Sequence, residues 1–202
     1  MPKQTFFNLS KEKRQIIEQA ALDEFSEYGF DASNLNRIVE RGKFAKGSFY
    51  QYFENKKDLY FHLIDTLVNK KRQYLTPVLD NYRDFSFQHN LKELFRLGLE
   101  FSADDPKLQK LGEDFSTMQP SFVKEFNEKY NPESADIFAE LLTHAQEKGE
   151  TQENIDIQIS SFSIPSLINN TTTLLMREIE NKGKQSAVVQ ELLTFINRAV
   201  LK

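Results

Sequence analysis

Residues 33–60 read SNLNRIVERGKFAKGSFYQYFENKKDLY: two short helices, a tight turn between them, and the start of a third. Ser33 stands where a hydroxyl caps a first helix by accepting from a backbone N–H two or three residues on. Leu35, Ile38 and Val39 fall at i, i+3 and i+4, one apolar stripe on a helix of about two turns. Gly42 follows as a left-handed closing residue, a conformation cheapest for glycine. A second helix over residues 45–53 sets Phe49 and Phe53 four apart, so both rings face a core. Lys46, Gly47, Tyr50 and Gln51 fall on the other side. Asn55 then caps a third helix with Lys56 and Lys57 in its first turn, where backbone N–H groups and lysine charge together can grip a phosphate.

The outward face of the second helix suits a DNA major groove. Lys46 reaches phosphate or a guanine edge, Gln51 bonds base edges, and tyrosine hydroxyls hold phosphate oxygens. Gly47 lets the helix backbone come close to the duplex. The bland alternative is an ordinary core helix pair with a solvated lysine face, a common arrangement. The ordered run of Ser33, Gly42, Lys46, Gly47, Tyr50, Tyr52 and Lys56 tells against it.

Those residues carry a resemblance. The pattern begins Ile16-Ile17-x-x-Ala20-Ala21-x-x-x-Phe25-x-x-x-Gly29-Phe30-x-x-Ser33, followed by Ile38. It continues Lys46-Gly47-Ser48-Phe49-Tyr50-x-Tyr52-Phe53-x-x-Lys56-x-x-Leu59. Together these resemble the N-terminal domain of TetR/AcrR-type transcriptional regulators, over about the first sixty residues. The resemblance implies that residues 45–53 enter the major groove. It implies phosphate contacts for Ser33 and Lys56 and in part for Tyr50 and Tyr52, with Lys46, Ser48 and Gln51 at or near bases. Asn34, Lys43, Ala45 and Gly47 complete the expected DNA-binding set. Three positions depart from the family pattern: Lys43 stands at the usual turn glycine, Ala45 at the usual Ser/Thr cap, and Val39 at a common alanine.

Composition is that of an ordinary globular protein: 39% hydrophobic and 28% charged residues in a chain of 202. The net charge of −4 argues by itself against a nucleic-acid binder. Its distribution matters more, because residues 1–57 carry ten Lys/Arg against eight Asp/Glu. No cysteine is present, so disulfides and thiolate metal sites are excluded. The N-terminus lacks an apolar run of signal-peptide length, and no stretch nears the roughly 18 apolar residues of a membrane span. A cytoplasmic protein is expected.

Glycine and proline punctuate helices. Gly29, Gly42, Gly149 and Gly183 each end an amphipathic run, and Pro106, Pro120 and Pro132 each sit near the start of one. The chain reads as all-α, with about nine or ten helices. A three-helix helix-turn-helix domain is expected over residues 1–54, and a larger helical effector-binding and dimerisation domain over residues 55–202. Helices are expected over residues 10–28 and from 55 toward 82, with Pro77 kinking or ending the latter. Further helices are expected over residues 88–103, 105–117, 120–129, 132–148, 155–181 and 185–201. The basic run Lys70, Lys71 and Arg72 reads as a solvated helix face before a second DNA contact.

The last two helices have broad apolar faces, and a face wider than one stripe points to a second surface. The resemblance implies that they pair with their copies in a four-helix dimer seam. Leu167, Thr171, Leu175, Val189, Leu192, Leu193, Ile196 and Val200 are the expected seam residues. The larger domain is also rich in phenylalanine, which at helical spacing is usually core. In the resembled family such helices enclose a small-molecule pocket. The expected lining is Phe101, Phe115, Met118, Phe122, Phe138, Phe162 and Met176, with His144, Asn169 and Asn170 as polar contacts. The weak helix formers at residues 169–173 mark either that cavity or a polar part of the seam.

Catalysis finds little apparatus. His62, His89 and His144 have no metal-ligand spacing, and neither a GxSxG elbow nor a GxGxxG loop occurs. No cofactor, metal or enzymatic activity is expected. The chain reads as a homodimeric, ligand-responsive regulator, a repressor that binds a near-palindromic operator and is released by an apolar or amphipathic effector. The rival is a helical protein-interaction module that keeps the fold without binding DNA.

Overall fold

A computed structural model describes residues 1–130, 137–178 and 182–202 of the chain. Among the described residues the regular structure is helical, apart from one isolated bridge between Thr151 and Leu201. The helices are α1 (Gln4–Phe7), α2 (Lys11–Ala32), α3 (Leu35–Arg41), α4 (Lys46–Tyr52), α5 (Lys56–Leu79) and α6 (Phe87–Asp104). They continue with α7 (Pro106–Ser116), α8 (Pro120–Tyr130), α9 (Ile137–Glu147), α10 (Ile157–Glu178) and α11 (Lys182–Val200). Among the described residues one 3-10 turn, Tyr82–Asp84, lies between α5 and α6. None of the described helices is long and apolar enough to cross a membrane.

The punctuation behaves as the sequence implies at most ends. Ser10 caps α2 by accepting from the Lys13 N–H at 3.4 Å. Gly29 breaks that helix with φ +72°, leaving a short stub to Ala32. Asp105 caps α7 by accepting from the Leu108 N–H, with Pro106 just inside the helix. Pro77 sits inside α5, two residues before its end. The expected boundary at Asn131 and Pro132 lies outside the described residues.

Three local expectations are corrected. Asn34, not Ser33, caps α3, its side chain accepting from the Asn36 N–H at 2.8 Å. Gly42 is right-handed (φ −79°), and the left-handed residue is Lys43 at φ 52°. Glycine is needed at 42 for space instead: a Cβ there would lie 2.5 Å from the Phe44 ring. The segment before α2 is also ordered as α1, a helix too short for periodicity to reveal.

The chain divides into two compact units, Met1–Gln73 with Phe101–Glu133, and Tyr74–Glu100 with Ser134–Lys202. The first unit therefore groups α7 and α8 with the N-terminal helices. Its interior is aromatic: Phe6, Phe25, Phe49, Phe53, Tyr60, Phe61 and Phe126 are all essentially buried. The second is aliphatic, with Phe87, Leu91, Leu94, Phe95, Leu141, Leu142 and Ile164 at its centre.

That second core absorbs four residues expected at the dimer seam. Leu192, Leu193, Ile196 and Val200 are 2–8% exposed and pack with Leu91, Leu142 and Ile164. The broad apolar face of α11 is thus broad because its own unit surrounds it. Val189 packs partly buried against the same cluster, Thr171 is half-buried, and Leu167 is 37% exposed. Leu175 lies outside the described side chains.

A lysine in the left-handed region is strained, because its Cβ crowds the following carbonyl oxygen. Lys43→Gly should stabilise the protein by up to about 1 kcal/mol. Relief of roughly 1–2 kcal/mol of strain there exceeds glycine's entropic cost of ~0.5–1 kcal/mol. Urea unfolding with an unchanged m-value measures it, and a lowered midpoint would contradict this view of the turn.

Candidate nucleic-acid interface

The candidate interface is α4 with the turn that precedes it. Phe49 and Phe53 have no exposed surface, and their rings lie 5.6 Å apart in a stacked arrangement. Burying two such rings contributes on the order of 1.5–3 kcal/mol each, which fixes the inward side of a two-turn helix. The opposite side is open: Ala45, Lys46, Gly47, Tyr50 and Gln51 are exposed, and Ser48 and Tyr52 half-buried. A Cβ added at Gly47 would meet nothing within 4 Å. Glycine at this place is therefore not required by the protein's own packing. Ala45 supplies no side-chain cap to α4, so the helix opens on bare backbone N–H groups.

Lys43 and Lys46 are exposed on this side, and Asn34 is exposed at the start of α3. The nearby arginines are occupied elsewhere. Arg37 pairs with Glu24 at 2.6 Å and donates to the Ala32 carbonyl at 2.9 Å, while Arg41 pairs with Glu27 at 2.6 Å. Glu24 is fully buried and accepts the Asn34 N–H at 2.8 Å and the Arg37 Nε–H at 2.7 Å. It thereby joins α2 to the start of α3. Positive charge on α3 is consumed by the fold, and the free charge sits on the turn and α4.

Two of the expected phosphate contacts point inward. Ser33 is 7% exposed and its hydroxyl donates to the Phe30 carbonyl at 2.6 Å. Lys56 donates to the carbonyls of Phe30 at 2.6 Å and Ser33 at 2.9 Å, with its Nζ 4.6 Å from the centre of the Phe30 ring. Burial lowers the Lys56 pKa, opposed by the charges of Asp31 and Glu24. As placed, both residues close the end of α2 instead of presenting a donor to solvent. Lys57, beside them, pairs with Glu125 at 2.7 Å.

The same junction is held from α7. Asp114 accepts the Phe30 N–H at 3.0 Å and the Tyr60 hydroxyl at 2.7 Å. Burial, with this bond, pushes the Tyr60 pKa up, so the phenol stays a donor. A Cβ at Gly29 would lie 2.7 Å from Asp114 Oδ1, so the kink needs glycine for both its φ and its neighbour. Sequence spacing gave no hint of Asp114. Its partners are 54 and 84 residues away.

The expected effector residues are divided between the two units. In the first, Phe115 and Phe122 join Tyr60, Phe61 and Phe126 in a ring cluster with centroids 4.9–6.5 Å apart. Phe101 is fully buried and Met118 half-buried there. In the second, Phe138 packs on the aliphatic core, and His144 Nε2 lies 3.1 Å from the Arg83 carbonyl oxygen. Phe162 is 77% exposed, the opposite of a pocket wall, and Asn170 is exposed. Asn169 and Met176 lie outside the described side chains. Among the described residues no group of His, Cys, Asp and Glu could hold a metal ion.

Comparison with known proteins gives the same segment prominence. Residues 17–63 match the family described as bacterial regulatory proteins, tetR family. The HTH-type transcriptional regulator RutR of Escherichia coli is 33% identical over 99 residues, 49% of this chain and 45% of RutR. The chain thus spans about half the length of the first curated relatives it matches. A probable acrEF/envCD operon repressor of the same organism is 26% identical over 175 residues, covering 79% of this chain and 73% of that protein. Among solved structures, Bacillus subtilis FadR in complex with stearoyl-CoA superposes with a TM-score of 0.73 at 21% identity, over 92% of this chain and 98% of that one. That last likeness is one of fold. The profile thus lies on the helix-turn-helix, and over that segment this chain is similar to the TetR/AcrR-type regulators.

Proposed function

We propose that the protein is a DNA-binding transcriptional repressor that reads a near-palindromic operator as a cytoplasmic homodimer and is released by an apolar or amphipathic small molecule. One observation carries this most: α4 buries Phe49 and Phe53 completely while leaving Lys46, Gly47, Tyr50 and Gln51 open on the opposite side. A helix of this width fits the major groove, with Gln51 able to bond base edges and Lys43, Lys46 and Tyr50 able to reach phosphates. Asn34, Ser48 and Tyr52 flank this set. Ser33 and Lys56 serve it by shaping the α2–α3 junction. Members of the family are regulators and not enzymes, and the matched segment does not favour the rival of a protein-interaction module.

The dimer face is best read from what α10 and α11 leave uncovered. Ile159 and Phe162 on α10 and Phe195 on α11 are 61–77% exposed, and Leu167 on α10 is 37% exposed. Soluble proteins seldom leave such an apolar group in water. Two copies meeting there would set two α4 helices on successive half-sites. For the effector, the likeness to FadR solved with stearoyl-CoA supports a long acyl or similarly amphipathic ligand. Such a ligand acts only through its preference for the conformer that does not fit the operator. A hundredfold release needs about 2.7 kcal/mol of coupling, and operator must weaken ligand binding by the same factor.

Three outcomes are expected. Lys46→Ala should reduce the slope of log affinity against log salt by about one, whereas Gln51→Ala should relax discrimination at a single base position. A salt-series titration in which neither changes would remove α4 from the interface. Gly47→Ala should raise helix stability by ~0.5–1 kcal/mol, since the position has room, yet weaken duplex binding by about tenfold or more, since the methyl meets DNA. Unchanged binding in this more stable variant would contradict close approach at Gly47. Finally, Phe162→Glu together with Phe195→Glu should give a folded monomer in sedimentation at micromolar concentration. Leu193→Arg should instead unfold the protein, because an unpaired buried charge costs roughly 3–5 kcal/mol. A persistent dimer in the glutamate variant would place the seam elsewhere.

A further inference from the structure

We propose that residues 3–6, which lie outside the helix-turn-helix itself, are a positioning element of the DNA-reading unit that holds α4 by its C-terminal end. The inference rests on the reading of α4 as the recognition helix. An α-helix leaves its last four carbonyls without partners inside the helix, and a seven-residue helix has few internal bonds to offset them. For α4 each of the four is accounted for. Phe49 O accepts the Phe53 N–H at 2.9 Å, the ordinary continuation at the cap. The other three are taken by one short segment. Tyr50 O accepts from Lys3 Nζ at 2.9 Å, Gln51 O accepts from the Thr5 hydroxyl, and Tyr52 O accepts the Lys3 N–H at 2.8 Å.

The segment is itself anchored. Phe6 has no exposed surface, and its ring lies 4.9 Å from Phe53, 5.2 Å from His62 and 6.3 Å from Tyr52. The Phe6 N–H returns to the Lys3 carbonyl at 2.9 Å, and Gln4 donates to the Asn8 side chain at 3.2 Å. Phe6 therefore seats the segment under α4 while Lys3 and Thr5 grip its end. Tyr50 and Gln51 carry both functions at once, with side chains toward solvent and carbonyls held from behind. The ammonium of Lys3 also sits at the negative end of the helix dipole. Base readout tolerates errors of only about 0.5 Å or 10–20° in side-chain placement. Two buried phenylalanines fix which side of a two-turn helix faces inward, and gripping its carbonyl end adds a hold on its tilt. Specificity should accordingly depend on residues that touch no base.

The test uses the full-length protein with Lys3→Met, which keeps the stem and removes the ammonium, and Thr5→Val, which keeps the shape and removes the hydroxyl. Binding is titrated on a selected operator and on an unrelated duplex of equal length, over a salt series, at a temperature well below melting. The double variant is expected to lose about tenfold or more on the operator, with little change on the unrelated duplex and an unchanged salt slope. Thr5→Ser should retain full discrimination. If operator and unrelated duplex weaken together and the slope falls by about one, Lys3 is a phosphate contact and the positioning role is overturned. An unchanged ratio of the two affinities overturns it as well. Gln51→Ala in the same titration separates failures: a Gln51 variant with intact discrimination would remove α4 as the reading helix, whatever residues 3–6 do.

Discussion

The buried carboxylate of Glu24 is the constraint on which the helix-turn-helix depends. It has no exposed surface, and its Oε1 receives the Asn34 N–H and the Arg37 guanidinium, while Oε2 lies 3.7 Å from Arg41 Nε and takes no hydrogen bond. Removing a carboxylate from water costs several kcal/mol unless charge and hydrogen bonds replace the solvent. Here the replacements all come from α3 and its cap. The α3 helix has seven residues, too few to be stable alone, so its position is dictated by the acid on α2 that it must satisfy. The charge on buried Glu24 and the marginality of α3 are thus tied together in one arrangement. That arrangement also pairs Arg37 and Arg41 with carboxylates and leaves the lysines of the turn and α4 as the open basic face.

The same physics recurs at the other helix ends of the first unit. Lys56 and the Ser33 hydroxyl take the carbonyls that end α2, Asp114 takes the Phe30 N–H beyond the Gly29 kink, and residues 3–5 close α4. Apart from the Ser33 hydroxyl, which lies three residues from the carbonyl it takes, each partner comes from a different helix or from outside the motif. Short helices fixed at both ends by distant groups can be shifted as bodies without losing their internal bonds. That is what a reading head must do if it is to move between a DNA-fitting and a non-fitting arrangement. Asp114 joins α7, α5 and the α2–α3 junction through two hydrogen bonds, so a displacement of α7 would be felt at the junction.

How far the sequence disclosed this follows from the range of each interaction. Phe49 and Phe53, Gly29, Asp105 with Pro106, and the open side of α4 were legible because spacing within one helix determines them. The reason for Gly42 was not, since the Phe44 ring that excludes a Cβ is placed by tertiary folding. Ser33 and Asn34 are both good caps, and which one turns outward depends on the Phe30 carbonyl and on Glu24. Lys56 looked like a phosphate anchor because a lysine in a first helical turn usually is free. Its capture by two carbonyls 23 and 26 residues earlier has no local signal. The breadth of the apolar face on α11 reads in the sequence as a second surface, whereas Leu192, Leu193, Ile196 and Val200 of that face lie in the second unit's own core. The residues that stay exposed, Phe162 and Phe195, do not form a broad stripe and so were not singled out for the seam.

The central claim is that α4, presented twice by a symmetric dimer, reads DNA sequence. Selection of bound duplexes from a random pool by the full-length protein tests it most directly. The account predicts enrichment of a near-palindrome whose half-sites are about one helical turn apart or a multiple of it, with one position losing its preference when the selection is repeated with Gln51→Ala. Recovery of no sequence in common, or of the same site at undiminished preference with the Gln51 variant, would contradict it.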